Sequence, residues 1–415
     1  MDGSVADLTK KLKQSKFRFG SIYEFSDSLY SSFEIDYIFR VFFSTLMGQL
    51  GITKLFFYDI KNDILHKKGI RHDEAEKNLI KTHLLKTKDL FFVKEPKEFA
   101  EDQQDLIDLF ESKRIHYVVD LSLSKKRPIY LALGKKFNRI ELTKEEIEYA
   151  FFLSKFTITA LDNAFMVKRI VETKQLEREM KIAKDIQLSL LPQQLPVLDN
   201  FELAVIYQPL KEVGGDYYDI LCSKDNKLPV LVADVEGKGL SAALLGASSQ
   251  AIFHSMNEFY TDKPSKFIEK ANTLIYDLQK GNRFITLFWM IVDDQEKSIS
   301  YVNAGHIEPI LIRQDGIQRL SKGGFLTGFI SDGSYEDETL TLESGDIISV
   351  FTDGVPEAES PDGTEYGEKQ IGEFLSRHRQ LPVQELSEKF QNEIDQHCQG
   401  TEFKDDFTFL LLKVK

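Results

Sequence analysis

Hydrophobic and polar positions change rhythm near the middle of the chain. From Phe33 to Leu50 apolar residues recur at helical spacing, and "KLFFYDI", "LFFVKEP", "IHYVVDLSL" and "RPIYLALGKK" predict short strands. The segment beginning "LTKEEIEYAFF" has Thr143 as a cap and Glu146 three positions on, which predicts a long helix. From Ile170 to Leu191, the residues Leu176, Met180, Ala183, Ile186 and Leu190 share one helical face, and Pro192 and Pro196 stop the helix. Such a stripe fits packing on its own domain or pairing with the same helix in a second copy. Pairing is preferred, because a helix between two domains has no core of its own.

Beyond about residue 197 the strand-like runs come in adjacent pairs: "FELAVIYQPL" with "GGDYYDILC", then "PVLVADV". They continue as "FITLFWMIVDD" with "SISYVNAGH", "PILIRQ" with "IQRLS" across an Asp-Gly turn, "GDIISVFTDGV" and "FTFLLLKVK". Helices are predicted between them at about 240–260, 264–280 and 368–397. Hairpins separated by helices predict antiparallel sheets with helices outside, an α+β layered fold. The expected division is a tail over 1–20, a first domain over 21–168, a linker helix over 169–196 and a second domain over 197–415.

Charge sharpens this division. Residues 1–190 hold 33 Lys and Arg against 29 Asp and Glu, whereas the remainder holds 20 against 37. An acidic second half argues against a nucleic-acid partner. If that half acts on a phosphorylated partner, bound divalent cations would offset the repulsion. No segment approaches an unbroken membrane span and no secretory signal is evident, so a cytoplasmic protein without membrane insertion is expected. Cys222 and Cys398 stand far apart and predict neither a disulfide framework nor a cysteine zinc site.

The second half repeats one peculiarity. Asp216 follows two glycines at a strand entry, and Asp234 ends the apolar run of "VLVADVEGKG". Asp353 ends "SVFTDG", and Asp405 and Asp406 precede the last strand. Asp is poor in strands, so each position needs a reason. Any one of them could cap a turn. Four in matched settings predict carboxylates gathered at one sheet edge, where they would resist ionising unless cations neutralise them. Hard oxygen donors suit Mg²⁺ or Mn²⁺, and two such ions can bind a phosphoryl group and activate water. The glycines allow close backbone approach, so the Val235 carbonyl joins the candidate ligands. His306, in "NAGH", reads first as a structural histidine.

The blocks "GGDYYD", "ADVEGKGLSAAL", "FITLF", "YVNAGH", "FTDGVPEA" and "DDFTFLLL" occur in that order. Residues 197–415 thereby resemble the bacterial branch of the metal-dependent, PPM-type protein serine/threonine phosphatases, which contains sporulation phosphatase E and the sigma-factor regulatory phosphatases. The helix "REMKIAKDIQLSLLP" resembles the regulatory linker preceding these domains. The first domain resembles a GAF domain, a six-stranded sheet backed by helices, most clearly in its exit "ALDNAFMVKRI". That resemblance implies either a small ligand or a dimerisation platform.

The phosphatase resemblance implies a β-sandwich of two antiparallel sheets between helical layers. It also implies two Mn²⁺ or Mg²⁺ ions and water attacking phosphoserine or phosphothreonine in line, without a phosphoenzyme. Asp216 would bind a metal directly or through water, Asp234 would bridge both ions, Val235 would lend its carbonyl, and Asp353 and Asp405 would complete the set, with Asp405 preferred over Asp406. The implied partner is a phosphorylated STAS-type antagonist of an anti-sigma factor, and the linker helix and GAF-like domain would form a homodimer. Glu236 departs from the small residue usual there, and no arginine precedes Asp216 to dock phosphate, leaving Lys211 and Lys238 as the nearest cations. A cysteine phosphatase is excluded, since Leu228 and Lys404 stand where an arginine six positions after each cysteine is required. The rival reading is a phosphatase fold retained as a binding scaffold.

Overall fold

The computed structural model describes residues 20–71, 73–86, 92–122, 127–221, 227–257 and 263–415. The chain forms two compact units, Met1–Lys174 and Gln175–Lys415. Cys222 lies outside the described residues, and Cys398 is a free, buried thiol.

In the first unit, strands β1 (Leu55–Asp59), β2 (Ile64–Lys68), β3 (Val93–Lys94), β4 (Ile115–Asp120) and β5 (Ile129–Gly134) form an antiparallel sheet ordered β2-β1-β5-β4-β3. This gives five strands among the described residues, where the sequence pattern predicted four and the GAF resemblance implied six. Alternation along β1 explains the layers. Leu55 and Phe57 pack with helices α1 (20–29) and α2 (Ile35–Leu50), while Phe56 and Tyr58 face α3 (Glu74–Lys86) and α4 (Gln104–Lys113).

Helix α5 (Lys144–Leu190) begins at the predicted capping box. Glu146 Oε2 accepts from the Thr143 backbone N–H at 2.9 Å, and Thr143 Oγ1 accepts from the Glu146 N–H at 3.4 Å. The helix then runs unbroken through the position where the sequence analysis separated a closing helix from a linker. By length and composition alone α5 is also apolar enough to cross a membrane, a test that a buried core helix passes as well. Its residues Leu153, Ile158, Leu161 and Ala164 are buried in the unit's own core.

The second unit holds two five-membered strand paths. One is β13-β10-β9-β8-β7, with β14 beside β10; the other is β12-β11-β15-β16-β6. The ranges are β6 Phe201–Gln208, β7 Tyr217–Ile220, β8 Lys227–Val235, β9 Ile285–Asp293 and β10 Ser298–Ala304. The rest are β11 Ile310–Ile312, β12 Ile317–Arg319, β13 Gly323–Gly324, β14 Glu338–Thr341, β15 Ile347–Phe351 and β16 Phe407–Val414. Pairing is antiparallel except for the short β10–β13 contact.

Period-two patterning along β16 builds the sandwich. Leu410, Leu412 and Val414 enter a core shared with Val230, Val232 and Phe288 of the first sheet. Phe407, Phe409 and Leu411 enter a separate core against α8 (Glu368–His378) and α9 (Val383–Cys398). Helices α6 (Leu240–Met256) and α7 (Pro264–Gln279) cover the other outer face, where the Phe267 ring stacks on Trp289 with centroids 3.9 Å apart. The single helix predicted over 368–397 is two, because Pro382 cannot continue α8 and instead caps α9.

Candidate active site

The strand register places the acids. Tyr217 of β7 pairs with Ala233 of β8, so Asp216, just before β7, lies across from Asp234 at the same end of the hairpin. In the second sheet Phe351 of β15 pairs with Phe409 of β16, so Asp353 leaves that sheet at the end where Asp405 and Asp406 enter it. The loop from Gln208 to Asp216 crosses between the sheets at this edge.

Asp406 holds that loop. Its carboxylate accepts from the backbone N–H groups of Leu210 at 2.7 Å, Gly215 at 2.5 Å and Asp216 at 3.4 Å. A carboxylate engaged with three N–H donors anchors a turn and has few lone pairs left for an ion. Asp405, by contrast, points its Oδ2 at Lys238 Nζ, 2.6 Å away, at the rim. Lys238 also donates to the Lys404 carbonyl at 2.8 Å.

Gly215 lies where the backbone approaches the acids closely. A Cβ there would lie 2.9 Å from the Val235 carbonyl oxygen, 3.3 Å from the Gly237 carbonyl oxygen and 3.5 Å from Asp234 Oδ1, so the missing side chain leaves a cradle walled by three oxygens. Asp216 is buried beside it, and its Oδ2 accepts from the hydroxyls of Thr352 and Thr408, each at 2.6 Å. Burial and the Asp234 charge still push the Asp216 carboxyl well above the usual range. Burial, followed by the carboxylates of Asp353 and Asp405, pushes Asp234 up to about 7. Asp353 is raised too, by burial and then by Asp405. The acids therefore sense one another as a group, in surroundings that favour neutralisation.

Among the described residues, no group of three or more His, Cys, Asp or Glu side chains is arranged to hold one ion. Mg²⁺ commonly takes only one or two carboxylates and fills its shell with water and other oxygens. The paired carboxylates, the Val235 carbonyl and the Gly215 cradle fit that donor set.

Several neighbours were not read from the sequence. Gln187 of α5 clamps the Gly214 peptide: its Nε2 donates to the Gly214 carbonyl at 2.8 Å, and its Oε1 accepts from the Gly214 N–H at 3.1 Å. Arg283 Nη1 donates to the Glu236 carbonyl at 2.7 Å and lies against Gly237, whose φ of 96° suits glycine. Glu236 itself is exposed, as is Lys211. His306 is buried, and its Nδ1 lies 3.0 Å from Thr286 Oγ1; burial pushes its imidazole down to about 4, so it is neutral at physiological pH.

Residues 224–415 match the family model described as Stage II sporulation protein E (SpoIIE). The chain is 26% identical over 243 residues to phosphoserine phosphatase RsbU of Bacillus subtilis, covering 58% of this chain and 71% of RsbU. It is 24% identical over 267 residues to protein IcfG of Synechocystis, covering 56% of this chain but only 41% of that protein. Among solved structures, the SiaA-PP2C domain of Pseudomonas aeruginosa aligns with a TM-score of 0.53 at 21% identity, covering 59% of this chain and 99% of that one, a likeness of fold. Residues 224–415, which hold most of the sandwich and of its acid-lined edge, match a SpoIIE-type PP2C/PPM phosphatase domain.

Proposed function

We propose that this chain is a divalent-metal-dependent protein serine/threonine phosphatase of cytoplasmic signalling. The observation carrying the reading is the Gly215 cradle, walled by Asp234 and the Val235 carbonyl, with Asp216 buried beside it and Asp353 and Asp405 acting on Asp234. Asp216, Asp234, Val235, Asp353 and Asp405 would hold two Mn²⁺ or Mg²⁺ ions. When bound, such ions neutralise the acids and lower the pKa of water toward neutrality, which is the chemistry phosphomonoester hydrolysis needs. The protein's own contribution is positional. Thr352 and Thr408 fix the Asp216 carboxylate, and Asp406 fixes the backbone that carries it.

The substrate class follows from the resemblance and from the relative named a phosphoserine phosphatase: a phosphoserine or phosphothreonine protein, specifically a STAS-type antagonist of an anti-sigma factor. The amino-terminal unit serves as a GAF-like sensor and dimerisation domain. The carboxy-terminal turns of α5 transmit its state, supported by the Gln187 clamp one residue from Gly215 and by the exposure of Leu176 and Ile186 in the apolar stripe, which suits pairing with a second copy.

The scaffold reading draws on the lack, among the described residues, of a cluster of three or more His, Cys, Asp or Glu side chains arranged to hold one ion. Phosphate release from a phosphoserine protein decides between the two. Turnover that requires Mn²⁺ or Mg²⁺, stops with EDTA and disappears in Asp234→Asn supports hydrolysis. Retained binding of the phosphoprotein without release, in saturating Mn²⁺, establishes the scaffold.

A further inference from the structure

One end of the amino-terminal sheet gathers basic groups that the hydrolytic site does not use. Lys54 precedes β1, Arg114 precedes β4, and Lys135 and Lys136 follow β5. The register Leu55↔Leu133 and Ile115↔Gly134 brings these positions to the same edge. A cavity of about 460 Å³ there is lined by Lys54, Arg114, His116, Lys135, Lys136 and Arg139, with no carboxylate among its lining residues. Its size lies within the range of small-molecule sites.

Like charges around one hollow repel, so their pairing matters. Lys136 is neutralised by Glu146 at 2.8 Å, and Lys54 Nζ donates to the Lys113 carbonyl at 3.0 Å, capping the end of α4. Arg114, Lys135 and Arg139 form no ion pair among the described residues. The carboxylates of Glu95, Glu111 and Glu141 line an adjoining hollow that shares Arg114, His116 and Lys135. Both arginines hold left-handed backbone, with φ of 60° and 66°, a conformation that non-glycine residues rarely adopt. Burial, and then Lys135, lowers the His116 imidazole, so it enters the hollow neutral and able to donate one hydrogen bond. Phe137 lines the same cavity and is 79% exposed, while its backbone N–H donates to the Gly51 carbonyl at 2.9 Å.

We propose that this cleft binds a small, multiply charged phosphate compound. Arg114, Lys135 and Arg139 supply the contacting cations, and Phe137 offers a platform for any planar group the phosphates carry. A duplex or a lipid surface needs a broad basic face, whereas three unpaired cations around one hollow match the charge of a single di- or triphosphate. The cleft lies wholly within the amino-terminal unit, so its occupancy is independent of whether the other unit hydrolyses phosphoesters.

The test is calorimetric titration of the full chain in EDTA, which keeps divalent ions from recruiting phosphate to the other unit. Inorganic triphosphate, ATP, GTP, a short DNA duplex and phosphatidylserine vesicles are the probes. We expect saturable binding of one triphosphate-bearing probe per chain. Lys135→Glu and Arg139→Glu should each weaken it at least tenfold, while Lys135→Arg retains it and the exposed Arg40→Glu, outside the cleft, leaves it unchanged. A Phe137→Ala loss confined to ATP or GTP assigns a nucleotide; equal affinity for inorganic triphosphate with no Phe137 effect assigns bare polyphosphate, and either supports the site. Absence of saturable binding, indifference to both charge reversals in variants with unchanged melting curves, or preference for duplex or vesicles overturns it.

Discussion

Replacing Asp234 by Asn should stabilise the metal-free protein while abolishing its metal response. Asp234 is raised from an ordinary 3.8 to about 7, first by burial and then by Asp353 and Asp405. Its folded-state pKa exceeds its unfolded one, so the folded chain binds more protons between these values. Metal-free stability therefore falls as pH rises from about 4 through about 7 and is flat above. About 3 pKa units at roughly 1.4 kcal/mol each sets an upper bound of about 4 kcal/mol on the penalty, and relaxation of the site brings it to roughly 2–3. For a unit of this size that is a melting shift of roughly 5–10 °C. Asn nearly preserves the shape and carries no charge. Differential scanning calorimetry in EDTA at pH 8 should show Asp234→Asn melting above the parent by that amount, with the gap narrowing at pH 5. Added Mn²⁺ should raise the parent's melting temperature and leave the variant's unchanged. A variant that melts at or below the parent at pH 8 in EDTA would refute the view that carboxylate crowding strains this edge.

Other perturbations separate ligands from supports. Asp406→Ala strips the acceptor from three backbone N–H groups, so it should cost about 3 kcal/mol and lower the melting temperature by roughly 6–12 °C with or without Mn²⁺, read by calorimetry. Gln187→Ala removes both hydrogen bonds to Gly214 and should weaken Mn²⁺ binding about tenfold in titration calorimetry while lowering the melting temperature in EDTA by roughly 4–8 °C; unchanged affinity would detach α5 from the site. Ile186→Asp places a charge on the exposed stripe and should shift the full chain toward monomer by at least tenfold in sedimentation, with activity moving in step. Monomeric parent protein would remove the basis for pairing.

Much of this edge was legible because strand ends leave local traces. An acid closing "VLVADV" is improbable in a buried strand, and glycines beside Asp216 mark close backbone approach; both concern residues adjacent in the chain. What the sequence analysis missed depends on distant partners. Thr352 and Thr408 reach Asp216 from more than a hundred positions away, and nothing local marks them as its hydrogen-bond donors. The division of labour between Asp405 and Asp406 is likewise set by the loop that Asp406 holds, although Asp405 was the preferred ligand. Strand β2 went unread because "ILHKK" is half-buried and polar at its end. The break at Pro382 was local and was overlooked, while the continuity of α5 past residue 168 follows from the absence of any glycine or proline there.

Anomalous diffraction at the manganese edge, from crystals of the full chain grown with Mn²⁺, tests most directly whether these oxygens share divalent ions. Two peaks should appear, with Asp234 within bonding distance of both and the remaining bonds drawn from Asp216, Val235, Asp353 and Asp405. Manganese bound elsewhere, with none at Asp234, would contradict the account.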